Sequence, residues 1–224
     1  MQVLLFDIDG TLLFSGGAGQ VAMKQTLLEL YGEAREVDIP VHGRTDKGII
    51  ADLLEAHEVA ASDAEVARFY SSYAPRMEAA MKVCDGSLLP GVRGLLDELA
   101  QVEELVLGLL TGNGEVAAKA KLAHFDIDHY FHFGGFGENF ANRNDIAVEA
   151  KTSARRVLTD ANISEYWVIG DTIHDVACAR HIDAKSIAVG TGRVDQQELI
   201  ASDPTFYITD LSEFSQVQMG MQNR

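Results

Sequence analysis

Along the chain, short unbroken hydrophobic runs alternate with longer stripes at helical spacing. Val3-Leu4-Leu5-Phe6 comes first, and four consecutive apolar residues predict a strand buried on both faces, as in a parallel sheet covered by helices. Leu105-Val106-Leu107-Gly108-Leu109-Leu110, Tyr166-Trp167-Val168-Ile169, Ser186-Ile187-Ala188-Val189 and Phe206-Tyr207-Ile208 repeat that pattern farther on. Helical stripes lie between them. Val92, Leu95, Leu96 and Leu99 follow Leu89-Pro90-Gly91, with the proline in the predicted first turn, and Ile146, Ala150, Ala154 and Val157 form another. A further helix is predicted from about Asp195 to Ala201. Strands alternating with helices imply right-handed crossovers and an α/β, doubly wound parallel sheet.

One long stretch departs from this alternation. Ser15-Gly16-Gly17-Ala18-Gly19 is a small, flexible exit from the first strand, and from there to about Cys84 the pattern is wholly helical. Met23, Leu27, Leu30 and Tyr31 form one stripe, Ile49, Ile50, Leu53 and Leu54 a second, and Val66, Phe69, Tyr70, Tyr73 and Met77 a third, which Ser62 and Glu65 open as a capping box. Three such stripes predict a helical bundle inserted into the sheet domain. The expected organisation is an α/β core of residues 1–15 and 86–224 with a helical insertion at 16–85. From Asp126 to Phe136, aromatic residues fall in short strand-like runs, and His124, His129 and His132 are read as surface residues because their spacing lacks a zinc pattern. The last dozen residues are expected to fray.

Composition narrows the function. A 224-residue chain with 47% hydrophobic residues can build one large domain or a core with a modest insertion. A formal charge of −16 disfavours nucleic acid and anionic membranes as partners, although one local cation and a metal can still hold a small phosphate. Cys84 and Cys178 form no Cys-x-x-Cys pair, so both are expected as buried, reduced thiols. The chain starts with a strand pattern instead of a basic region and apolar segment, and no run has membrane-spanning length; a soluble, cytoplasmic protein is expected. Its oligomeric state is left open.

Candidate chemistry gathers at the predicted strand ends. Asp7 and Asp9 sit two apart, so an extended backbone points them the same way, and Gly10 lets the chain turn away immediately afterwards. Like charges this close are costly unless a cation or shared proton offsets them, and a divalent metal is the ordinary remedy. Asp171 emerges from a later strand in the same manner, with Asp175 near it as a helix begins; two more acids argue for a hard cation. Thr111-Gly112-Asn113-Gly114 ends another strand where a helix starts, so the helix's free amides and the Thr111 hydroxyl can receive a phosphate oxygen.

Asp7-Ile8-Asp9-Gly10-Thr11-Leu12 resembles the first motif of the haloacid dehalogenase superfamily, most of whose members are magnesium-dependent phosphatases. The strand ending in Thr111-Gly112-Asn113 is similar to the second motif, and Gly170-Asp171-Thr172-Ile173-His174-Asp175 to the fourth. The resemblance implies that Asp7 is a nucleophile forming an aspartyl-phosphate and Asp9 the general acid and base. It implies Mg2+ held by Asp7, the backbone carbonyl of Asp9 and Asp171, with Asp175 in support. A helical insertion after the first strand matches the family's cap domain. Its loop Gly43-Arg44-Thr45-Asp46 resembles one carried near the substrate by cap-bearing phosphatases of the phosphoglycolate phosphatase type. Arg44 there either forks onto a substrate carboxylate or phosphate or pairs with Asp46, and Thr45, Gly112 and Asn113 are further substrate-binding candidates. The family's catalytic cation usually precedes a proline. That form is absent, so Arg143 before the helical stripe takes the place, with Lys151 its rival inside the helix. The implied function is hydrolysis of a small phosphorylated metabolite such as phosphoglycolate. A phosphomutase would use the same acids. A dehalogenase would need neither Asp9 nor Asp171, and a non-catalytic binding protein would not need both catalytic acids intact.

Overall fold

In the computed structural model, which describes residues 1–159 and 162–216, the opening hydrophobic run forms β1 (Gln2–Phe6), with Val3 to Phe6 wholly buried. The chain continues through β2 (Leu13–Phe14), α1 (Ala18–Tyr31), α2 (Asp46–Ala56), α3 (Asp63–Tyr73) and α4 (Met77–Val83) to β3 (Ser87–Leu88). Then follow α5 (Val92–Leu99), β4 (Leu105–Leu110), α6 (Glu115–His124), β5 (Gly134–Gly135), α7 (Arg143–Val157), β6 (Glu165–Gly170), α8 (Ile173–His181), β7 (Lys185–Val189), α9 (Gln196–Ala201) and β8 (Phe206–Ile208).

Six of these strands make one parallel sheet in the order β5-β4-β1-β6-β7-β8. The strand order reverses at β1, which pairs with β4 on one side and β6 on the other, and such a switch point is where open α/β sheets leave a crevice. Phe6 stands level with Leu109 and Ile169, so the residues that follow β1, β4 and β6 leave the sheet along one edge. Period-two alternation divides the strand between two apolar layers. Leu4 and Phe6 join Leu107, Leu109, Trp167 and the inner faces of α5 and α6, whereas Val3 and Leu5 join Leu110, Val168 and the small residues Ala147, Ala150 and Ala154 of α7.

The four helices α1 to α4 lie between β2 and β3, which pair antiparallel where the chain leaves and re-enters the sheet domain. They share a core of Leu27, Ile50, Leu54, Phe69, Tyr73, Met77 and Met81, into which Ala117 of α6 also packs. The third predicted stripe is interrupted. Pro75 lies in a 3₁₀ turn at Ala74–Arg76 and divides α3 from α4, because proline cannot donate to the helical ladder. Only half of the capping box forms: Ser62 accepts from the Glu65 amide at 3.3 Å, but the Glu65 carboxylate turns to Tyr31 and Arg68.

Other boundaries also differ from the sequence expectation. α5 begins beyond Pro90, at a Gly91 cap in the left-handed region. Between 126 and 136 the only regular pieces are a 3₁₀ turn at Asp128–Tyr130 and the glycine pair of β5, with His124, His129 and His132 exposed. Val157 is exposed, and Cys84 is half-buried where Cys178 is buried. Of the expected frayed tail, Phe214 is buried, and residues 217–224 lie outside the described residues. No helix among the described residues is long and apolar enough to cross a membrane.

Phe69 is wholly buried at the centre of the inserted helices. Phe69→Ala is expected to cost about 3–5 kcal/mol, measured as a lower urea midpoint at unchanged slope; a loss below about 1 kcal/mol would mean that this core is not packed as described.

Candidate active site

Three carboxylates meet at the edge where β1 and β6 end. Asp7 follows β1, Asp171 follows β6 and Asp175 lies in the first turn of α8; all three are buried, and one oxygen from each lies within 4.8 Å of the others. The turn after Asp9 makes this approach possible. Gly10 has φ +90°, and a Cβ there would stand 2.4 Å from Asp171 Oδ2, so only glycine serves. Thr11 donates its hydroxyl to Asp171 Oδ1 at 3.3 Å. Asp175 Oδ2 accepts from the Thr172 amide at 3.0 Å and the Thr172 hydroxyl at 2.7 Å, closing a capping box. Its other oxygen accepts from Arg143 Nη2, which also stands 3.6 Å from Asp7 Oδ2. Arg143 opens α7, is 8% exposed, and has no hydrogen-bond partner for its Nε.

One guanidinium does not balance three acids. Burial pushes Asp7 up to about 7, against the lowering field of Arg143 and with the help of Asp175. Burial, then the charges of Asp175 and Asp7, push Asp171 up to about 8. The donors are all hard oxygens, and their surplus negative charge fits a divalent cation.

Asp9 faces another way. The strand ends at Phe6, so period-two geometry does not carry through to residue 9, and the two carboxylates are served by different cations. Asp9 Oδ2 accepts from Lys121 Nζ at 2.6 Å and from Asn113 Nδ2 at 2.7 Å. Burial raises its pKa, but the Lys121 charge and these hydrogen bonds outweigh that and hold it below the ordinary carboxylate value. Asn113 Nδ2 also donates to Thr111 Oγ1 at 2.9 Å, and Lys121 Nζ to Asn113 Oδ1 at 2.6 Å. Sequence reasoning missed Lys121. Its one signal was a lysine in the otherwise apolar stripe of Ala117, Ala118 and Leu122. Lys151, by contrast, donates to the Ile182 carbonyl and lies over the Tyr166 ring, away from the acids.

The inserted helices close over this edge through the loop before α2. Asp46, also unassigned from sequence, accepts the Gly114 amide at 2.8 Å while its own amide donates to the Gly112 carbonyl at 2.7 Å. Burial pushes Asp46 up to about 6 despite that amide. The Arg44 carbonyl would lie 1.9 Å from a Cβ on Gly112, so the glycine admits the loop. The Arg44 guanidinium pairs with Asp52, not Asp46, and the Thr45 hydroxyl caps α2 by accepting from the Gly48 amide at 3.0 Å. The expectation that the first amides of α6 await a phosphate is corrected here. Gly114 donates to Asp46, Glu115 to Glu138 at 3.3 Å, and Val116 to the Tyr70 hydroxyl at 3.3 Å.

A family model described as haloacid dehalogenase-like hydrolase matches residues 4–189. A phosphoglycolate phosphatase from Agrobacterium fabrum is 24% identical over 215 residues, 93% of this chain and 88% of that protein. Among solved structures, CbbY from Rhodobacter sphaeroides in complex with phosphate superposes with a TM-score of 0.74 at 18% identity, covering 96% of each chain. A putative beta-phosphoglucomutase from Thermotoga maritima gives 0.63 at 19% identity, covering 98% of this chain and 99% of that one.

The raised acids set a pH dependence. Asp7 and Asp171 titrate in the folded chain at about 7 and about 8 against an ordinary 3.8, so the folded chain holds protons that the unfolded chain has released. Stability from these groups therefore falls as pH rises through that interval. For protein stripped with a chelator, Tm is expected to fall by about 5 °C between pH 5 and pH 8, and an added divalent cation should raise Tm more at pH 8 than at pH 5. Parallel melting curves with and without the cation at both pH values would remove the acid trio as a cation site.

Proposed function

The chain belongs to the haloacid dehalogenase-like hydrolase family, and from that premise we propose that this phosphatase hydrolyses a small phosphorylated metabolite, a phosphoglycolate-like phosphomonoester, with Mg2+ and through an aspartyl-phosphate on Asp7. The observation that carries the proposal is the buried meeting of Asp7, Asp171 and Asp175 beside Arg143 at the switch point of the sheet. In this proposal Asp7, Asp171 and the main-chain carbonyl of Asp9 hold the magnesium. Asp175 supports them by fixing Arg143 and Thr172. The bound ion supplies positive charge to the nucleophile and the phosphoryl oxygens.

Asp7 attacks phosphorus in line as the bond to the leaving alcohol breaks. Asp9 is protonated as the reaction opens, its proton arriving with the substrate's hydrogen phosphate against the pull of Lys121; it gives that proton to the alcohol, and then takes one from the water that hydrolyses the aspartyl-phosphate. Arg143 and Thr111 balance charge on the equatorial oxygens. The Thr111 hydroxyl oxygen already accepts from Asn113, which leaves its proton to donate outward. Residues 16–85 act as a cap over a core of 1–15 and 86–224, excluding water during turnover. Gly112, Asn113, Arg44 and Thr45 line the substrate side, Arg44 reaching it by exchange of its Asp52 partner. Thiols without a Cys-x-x-Cys pair and a formal charge of −16 support a cytoplasmic enzyme without nucleic-acid or membrane partners.

The test is phosphate release from a panel of phosphorylated metabolites, phosphoglycolate first, with Mg2+ and with a chelator. Magnesium-dependent release is expected, with no transfer to a second position when a bisphosphate is added; such transfer would make the protein a mutase. Asp7→Asn should lower kcat by more than about 10³-fold and Asp9→Asn by about 10²–10³-fold. Arg143→Ala should cost about 10²-fold or more, whereas Lys151→Ala should stay within about threefold of wild type. Severe loss at Lys151 with none at Arg143 would reverse the assignment of the cation.

A further inference from the structure

Lys121 is a buried ammonium whose two hydrogen bonds both fall at the place where the proposed proton donor stands. Its side chain is 6% exposed, against 39% for Asp9. It springs from the seventh residue of α6, well into the helix, and returns to the strand end because long helical side chains lean toward the helix amino terminus. There it closes a triangle. Lys121 Nζ meets Asp9 Oδ2 and Asn113 Oδ1, each at 2.6 Å, while Asn113 Nδ2 meets the same Asp9 oxygen at 2.7 Å. Two of these contacts fix the same oxygen of Asp9 and the third locks the lysine to the asparagine, while neither of them hydrogen-bonds Oδ1.

We propose that Lys121 is a positioning residue: with Asn113 it anchors Asp9 Oδ2 and so presents Oδ1 to the bridging oxygen of the substrate. The inference rests on the phosphatase reading above and assigns Lys121 no contact with the phosphoryl group. Burial argues for a dedicated role, because withdrawing an ammonium from water is costly and is sustained only where fixed partners offset it. A solvated lysine would pair with Asp9 more loosely and leave the carboxyl free to rotate. The Arg143 guanidinium cannot take over, since it is committed to Asp175 and Asp7 on the other side of the turn.

The leaving group provides the test. A general acid matters most when the departing alcohol is a poor leaving group and little when it is a good one. Wild type, Lys121→Met and Lys121→Gln would be assayed for kcat and KM on a simple alkyl phosphate and on p-nitrophenyl phosphate, with thermal melts of each protein. Lys121→Met is expected to lower kcat on the alkyl ester by about 10–100-fold, to change it less than about fivefold on the aryl ester, and to leave KM within about threefold on both. In an Asp9→Asn background the same change should have no further effect on the alkyl ester. Equal losses on both esters, an unchanged alkyl kcat, or a rise confined to KM would overturn the proposal, the last by making Lys121 a substrate-binding group. If the methionine variant melts early, Lys121→Gln, which keeps a donor for Asn113, must show the same split between esters; its failure to do so overturns the proposal as well. Wild-type protein that turns over neither ester would overturn the phosphatase reading itself, which separates the two failures.

Discussion

Concentrated negative charge with little water around it is the constraint from which this structure follows. Asp7, Asp171 and Asp175 are each nearly inaccessible, and withdrawing one carboxylate from water costs several kcal/mol, the order expected for a single buried ion. A chain that pays this three times over needs compensation built into the same place. Part of it comes from neighbouring side chains: Arg143 pairs with two of the acids, while Thr172 and Thr11 donate hydrogen bonds to Asp175 and Asp171. The remainder must come from a proton or a cation, and burial accordingly pushes Asp7 and Asp171 toward the protonated form.

The sheet makes this concentration possible at low strain. Parallel pairing in register brings the ends of β1 and β6 level, so residues distant in sequence leave the sheet together. Gly10 then clears the way for the Asp171 carboxylate, which a side chain at that position would displace. A second, separate balance operates on the other side of the turn, where Asp9 meets Lys121 and Asn113. Two neighbouring carboxylates in one motif thus receive opposite treatment. Burial and like charges raise Asp7, and a paired ammonium lowers Asp9.

The sequence was informative wherever a local rule and the tertiary fold agree. Val3 to Phe6 could be read as a buried central strand because the run has no polar interruption, and Asp7 and Asp171 could be placed at strand ends because each follows such a run. Arg143 was favoured over Lys151 from its position before the helical stripe, and the guanidinium does lie at the acids while the lysine points to the Ile182 carbonyl. Legibility failed where the deciding contact is non-local. Lys121 lies one residue before Leu122 in a stripe otherwise suited to a core, and nothing within its own helix reveals Asp9, 112 residues earlier. Sequence proximity offers Asp46 as one of two alternatives for Arg44, the other being the substrate, but Arg44 pairs with Asp52 and Asp46 accepts from the Gly114 amide. The period-two argument for Asp7 and Asp9 also overran the strand by a few residues, and so predicted parallel carboxylates where the turn makes them diverge.

Helix α6 ties these separate observations together. Three of its first amides are occupied, two of them by groups from the inserted helices, the Asp46 carboxylate and the Tyr70 hydroxyl. One turn on, Ala117 packs into the apolar core of those same helices. Another turn on, Lys121 reaches back to Asp9. A single short rod therefore carries both a surface on which the insertion packs and the ammonium that pairs with Asp9. A helix is stiff over two turns, so the amino end of α6 and the Cα of Lys121 keep a fixed spacing. The same backbone bonds that seat the insertion loop, Asp46 to Gly112 and Lys47 to Gly137, hold that amino end in place. The contacts that seat the inserted helices and the cation paired with Asp9 thus belong to one helix.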